Sequence, residues 1–166
     1  MSATGLDVID KSLQTTNIWL KEIMQSEAVG PDRQLAWRVL GAVLHTLRDR
    51  LSVEQVAHFG AELPIVVRGL YYDQWHPAGK PDRERRAEEF VARVNAALQD
   101  TRPVDADEAT RAVLRVIDRH VSAGQVDKIR QSLPEDVRRL WADPRNEPPA
   151  QETEELTREL EKTGTV

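Results

Sequence analysis

The sequence predicts an all-α protein: two tandem, pseudo-symmetric four-helix units packed as one helical bundle. Three observations lead there. A shift of 70 residues lays Ala42–Asp73 over Ala112–Asp143 without a gap, with 12 identities in 32 positions. Among the identities are Ser52/Ser122, Gln55/Gln125, Leu63/Leu133, Pro64/Pro134, Val67/Val137, Arg68/Arg138 and Leu70/Leu140. Apolar residues recur at helical spacing in both copies, as Leu40, Val43, Leu44, Leu47 and Leu51, then Val113, Val116, Ile117 and Val121. No stretch has the alternation of a strand.

Each element follows from local chemistry. A first helix is expected over about residues 6–26, with Leu6, Ile9, Leu13, Leu20 and Ile23 as its apolar stripe. The long second helix ends at Leu51, and Ser52-Val53-Glu54-Gln55 then has the form of a capping box. Ser122-Ala123-Gly124-Gln125 repeats that form. A short helix follows each box, and Leu63-Pro64 or Leu133-Pro134 breaks it, proline suiting the first turn of the next helix. The fifth helix is placed within Asp82 to Leu98, presenting Ala87, Phe90, Val91, Val94 and Leu98. The units are thus about residues 5–76 and 82–142, packed as one domain, with two separate domains joined near Thr101-Arg102-Pro103 as the alternative. From Asp143 to Val166, seven acids and three bases leave a charge of −4. With three prolines and only Leu156 and Leu160 as sizeable apolar residues before the last position, this tail is expected to be disordered. A docking helix presenting those two leucines is the alternative.

Composition narrows the function classes. At 166 residues, with 40% hydrophobic and 31% charged, the chain can bury a core. The absence of cysteine excludes disulfides, zinc-thiolate sites and cysteine nucleophiles. No signal peptide and no apolar run of membrane-spanning length is seen, so a cytoplasmic location is expected. The net charge is −5, and without the tail the body is near neutral, which argues against nucleic-acid binding.

The duplicated Leu-Pro-x-x-x-Arg-x-Leu element and the segments NIWL, LRDRLSVEQVAHFGAELP and GLYYDQWHPAGKP resemble a bacterial helical family, domain of unknown function 2267. The resemblance covers about Asn17 to Trp141. It implies an all-helical fold and a bacterial cytosolic origin, and it carries over no activity, cofactor or catalytic residue.

Candidate sites are weighed against ordinary structural roles. His45, His58 and His120 align with Arg115, Lys128 and Arg50, which reads as solvent-facing polar positions. Metal ligands would instead have to converge, and no His-x-x-x-His or Glu-x-x-His pair exists. A Gly-x-Ser-x-Gly turn and a phosphate loop are also missing. No catalytic, metal or cofactor residue is therefore expected, and no enzyme. Arg68 and Arg138 read as bridges to carboxylates or backbone carbonyls, with paired anion anchors as the alternative. Lys80, Arg83, Arg85 and Arg86 gather at the expected start of the fifth helix among acids, a mixed-charge solvated face or a small anion patch.

The most telling feature is where the copies disagree. Trp37, Leu40 and Gly41 stand where the second copy has Asp107, Thr110 and Arg111, and Ile65, Val66, Gly69 and Tyr72 where it has Glu135, Asp136, Arg139 and Ala142. Ile65, Gly69, Tyr72 and His76 would form one stripe if the helix ran that far. Something extra has to cover this face: the chain itself, a second copy, or another partner. The expected function is interaction with another protein or self-association through Trp37, Leu40, Gly41, Ile65, Val66, Gly69, Tyr72, Trp75 and His76. The alternative is a small-molecule or anion pocket built from Tyr71, Tyr72, Trp75, His76, Lys80 and Arg83. No membrane partner is expected.

Overall fold

The computed structural model describes residues 2–142. Eight helices and no strand occur among them: α1 Asp7–Met24, α2 Arg33–Arg48, α3 Val53–Ala61, α4 Ile65–Tyr72, α5 Ala87–Ala97, α6 Ala106–His120, α7 Ala123–Ser132 and α8 Glu135–Ala142. What was expected of the tail lies outside the described residues.

The two long central helices form because they can bury nearly all round. α2 buries every residue from Val39 to Leu44, and α6 every residue from Ala109 to Leu114. They pack on each other, and α1 and α5 each pack on both. α4 packs on α1, α2 and α3, α8 packs on α5 and α6, and α3 meets α7. One apolar cluster runs through the whole, from Trp19 to Trp141.

Local chemistry accounts for the ends. Asp32 and Asp105 accept from Leu35 N and Glu108 N, and so cap α2 and α6. The capping box forms at α3: Ser52 Oγ accepts from Gln55 N at 3.3 Å and Ser52 N donates to Gln55 Oε1 at 3.1 Å. At α7 Ser122 makes no such cap; its N–H donates to Glu62 Oε1 at 3.4 Å instead.

Three expectations are corrected. The buried face of α1 is Ser12, Thr16, Trp19, Leu20 and Ile23, while Leu6 and Leu13 are exposed. The two hydroxyls tolerate burial because they are used: Ser12 Oγ accepts from Val66 N at 3.0 Å, and Thr16 Oγ1 donates to Ser12 O at 2.7 Å. Helix α4 stops at Tyr72, so His76 is not on its stripe. The buried Arg48 guanidinium donates to Tyr71 O at 2.7 Å and Asp73 O at 3.0 Å, and Gln74 turns the chain with φ 57°. Helix α5 starts at Ala87, five residues later than expected, because residues 80–86 are held against the end of α2. Asp82 N donates to Asp49 O at 2.7 Å, Lys80 Nζ reaches Asp82 Oδ1 at 2.9 Å, and Arg50 reaches Glu84 at 2.8 Å. The first amide of α5, Ala87 N, donates to Asp136 Oδ2 of α8 at 2.6 Å. Asp136 is half-buried and acts as that cap.

Candidate interaction surface

The aromatic residues of α4 and the loop after it form a staircase. Phe59 and Tyr71 meet edge to face at 5.4 Å, Tyr71 and Tyr72 at 4.9 Å, and Tyr72 and Trp75 at 5.8 Å between centroids. Tyr71 is fully buried, donates to Val56 O at 3.0 Å, and burial pushes its phenol well above the ordinary range. Tyr72 donates to the same carbonyl at 3.3 Å. Its ring lies over Gly60: a Cβ there would fall 2.3 Å from the Tyr72 hydroxyl oxygen. The position of Gly60 is taken by Arg130 in the second copy, where Tyr72 gives way to Ala142. There Arg130 lies over the Trp141 ring at 5.1 Å and pairs with Asp118 at 2.9 Å. A large residue fills the space from one side in each copy.

The same exchange explains the face carrying Trp37. Leu40 is fully buried, and Gly41 lets Leu70 approach, its Cδ1 lying 3.1 Å from where a Cβ would be. These two residues belong to the interior and present no surface. Trp37, Val66, Tyr72 and Trp75 are half-buried, and Trp37, Tyr72 and Trp75 pack onto the core. Gly69, Ile65 and His76 are exposed. At the matching place in the second copy, Arg111 pairs with Asp107 at 2.6 Å beside Leu140, above a groove of about 480 Å³ between α5, α6 and α8. What covers most of the apolar face of the first copy is therefore the chain itself.

The histidines divide. His45 is half-buried, contrary to expectation, and its Nε2 lies 2.6 Å from Leu70 O. His58 is exposed near Glu54 at 3.6 Å. His120 is exposed, stacks on the Trp19 ring at 5.5 Å and meets Glu22 at 3.0 Å. Arg68 donates to Ala61 O at 3.0 Å and Leu63 O at 2.9 Å, so it tethers the end of α3 to α4. Among the expected anion-patch residues, Lys80 is half-buried between Asp82 and Asp49. Arg83, Arg85 and Arg86 are exposed. They lie in the segment before α5, and among the described residues the one ion pair they make is that of Arg86 with Glu88 at 3.5 Å. Beneath them Arg50, fully covered, stacks over Phe90 at 4.7 Å. Burial lowers its pKa, and a hydrogen bond from Arg93 holds the Glu84 carboxyl below its ordinary range.

The uncovered apolar surface shares only Ile65 with the expected one. Large apolar side chains are exposed at Leu6 (59%), Val8 (60%), Leu13, Ile18, Val53 and Ile65 (43%). Val8 and Ile65 both line a groove of about 400 Å³ between α1 and the α3–α4 turn, with Trp19, Leu63 and His120 also lining it. Sequence reasoning missed Val8, because its place on the edge of the α1 stripe depends on which face α1 buries. It also missed a cavity of about 620 Å³ between the end of α1 and α6, lined by Glu22, Glu27, Arg115 and Arg119 among others. Its charges come from helices far apart in sequence.

Eight helices on one core, among the described residues, define a small helical-bundle protein, with a groove of mixed polar and apolar lining between α1 and the α3–α4 turn. The chain belongs to the family described as Uncharacterized conserved protein (DUF2267), which matches residues 16–140. No curated protein matches it. Among the described residues no helix is long and apolar enough to cross a membrane.

Proposed function

We propose that the protein works by binding another protein molecule in the bacterial cytosol and catalyses no reaction of its own. The observation that carries this reading is the placement of exposed apolar residues: five of the six large ones lie on α1, on its capping residue Leu6, or on α4. Of these, Val8 and Ile65 both line the α1–α4 groove, and apolar residues exposed together in a groove mark interaction sites. Its simplest form is self-association through the α1–α4 groove. Light scattering tests it. The mass should climb toward that of a dimer at high micromolar concentration, and Val8→Asp or Ile65→Asp should return it to the monomer with an unchanged circular dichroism spectrum. A monomer mass throughout rejects self-association through this face.

The same reading takes the eight helices as a duplicated four-helix unit. Exchanging α1 with α5, α2 with α6, α3 with α7 and α4 with α8 turns α1–α2 packing into α5–α6 packing, α2–α5 into α1–α6, and α1–α4 into α5–α8. A small-molecule or anion site around Tyr72, Trp75, His76 and Lys80 has less support. The Tyr72 hydroxyl and the Lys80 ammonium already have partners within the chain.

A further inference from the structure

The cavity of about 620 Å³ between the end of α1 and α6 is sorted by charge along its length. Asp105, the cap of α6, and Glu108 line it at the start of that helix, and Arg115 and Arg119 line it further on. Glu108 and Arg115 lie about 10 Å apart along the helix axis. The facing wall is the chain that leaves α1, and it runs the opposite way. Glu22 meets Arg119 at 3.4 Å and His120 at 3.0 Å, at the basic end. Arg102 donates to Val29 O at 2.6 Å, which holds the turn after α1 beside the start of α6. Glu27 of that turn also lines the cavity, and its carboxylate has no hydrogen-bond or ion-pair partner among the described residues.

One end is therefore acidic, with Glu27, Asp105 and Glu108, and the other sets two arginines against the single carboxylate of Glu22. That order suits the dipole of α6, but the dipole accounts for neither the hollow nor the rest of its lining. Ala112 and Val116 are buried and give it an apolar wall. Gln25 and Ser26, between Glu22 and Glu27 in the chain, line it with side chains that make no hydrogen bond among the described residues. Burial, and next the like charge of Arg119, lowers the pKa of Arg115, and a carboxylate arriving beside the two arginines would offset that repulsion.

We propose that this cavity binds a short peptide of about three residues with both ends free, its ammonium at the acidic end and its carboxylate at Arg115 and Arg119. An extended tripeptide spans about 10 Å, the offset between the two poles. The volume falls within the roughly 300–1,000 Å³ of small-molecule sites. Gln25 and Ser26 supply donors and acceptors for the peptide groups, and the apolar wall takes small side chains. Nothing in this site depends on the α1–α4 groove.

Isothermal titration of the full-length protein with tri-alanine tests this, at about 20 mM salt so that screening is weak. Binding should have a Kd below about 1 mM. Amidating the carboxylate, acetylating the amine or shortening to alanine should each weaken it about tenfold, since one charged pole is then unmatched. 8-Aminooctanoic acid places the same charges at the same span on an alkyl chain, and should bind about threefold more weakly because it cannot bond Gln25 or Ser26. Arg119→Gln and Glu27→Gln alter exposed side chains, and circular dichroism should show both variants folded. Arg119→Gln should weaken tri-alanine about fivefold and leave its amide unaffected, and Glu27→Gln should do the same to tri-alanine and its acetylated form. No heat from tri-alanine up to about 5 mM overturns the proposal. So do blocked peptides that bind as tightly, or variants that weaken every form alike. Equal or tighter binding of 8-aminooctanoic acid would overturn the assignment to a peptide.

Discussion

A Cβ on Gly60 would lie 2.3 Å from the Tyr72 hydroxyl oxygen and 2.7 Å from the ring carbon that bears it. The ring cannot simply swing away, since it packs between Tyr71 and Trp75. Gly60→Ala therefore sets a gain in helix propensity of about 1 kcal/mol against an overpacking cost of about 1–3 kcal/mol. A net loss on the order of 1 kcal/mol should appear in urea denaturation. In a Tyr72→Ala background the sign should reverse and Gly60→Ala should stabilise, because the obstacle is gone. Equal effects in both backgrounds would refute the packing argument. In the aligned segments a matching exchange falls at Arg48 and Asp118. Arg48 holds the carbonyls that end α4, and Asp118 instead holds Arg130 over Trp141. Such compensations show in the sequence only as disagreements between copies. Which residue fills which space needs the neighbours in place.

Helix boundaries were legible where a side chain acts on its own backbone and illegible where the partner is remote. Ser52 and Gln55 close their box as their spacing dictates, and Pro64 precedes α4. Ser122 and Gln125 have the same spacing without the cap, and Ser122 N–H turns to Glu62. Ser52→Ala should accordingly cost about 1 kcal/mol, and Ser122→Ala only a few tenths, measured as the shift in thermal midpoint of each variant. Comparable losses at both sites would mean the α7 cap forms in solution. The start of α5 was misplaced for the same physical reason. Residues 82–86 carry helix-compatible side chains, but Asp49 and Arg50, at and just beyond the C-cap of α2, hold them against that end, and Asp136 of α8 caps the helix at Ala87.

Across the molecule, helices far apart in sequence pack together, α1 on α6 and α5 on α2. Trp19 stacks on His120, Arg50 reaches Glu84, and Arg102 donates to Val29 O at 2.6 Å. Neither half then has a complete core without the other. The protein should unfold in a single transition, with calorimetric and van't Hoff enthalpies equal. A fragment covering residues 1–80 should show little helix. Two resolved transitions, or a folded fragment, would show the halves to be independent. The all-helical class, the number of helices, their order and most of the core could be read from periodicity, caps and proline placement. These are local signals, and a side chain's spacing along a helix is set by the backbone alone. Which face α1 buries, the enclosure of Leu40 and Gly41, the covering of Tyr72 and Trp75, and the exposure of Val8 and Ile65 were decided by tertiary structure. Burial is a property of what packs opposite, and a helix with apolar residues on more than one side leaves that choice to its neighbours.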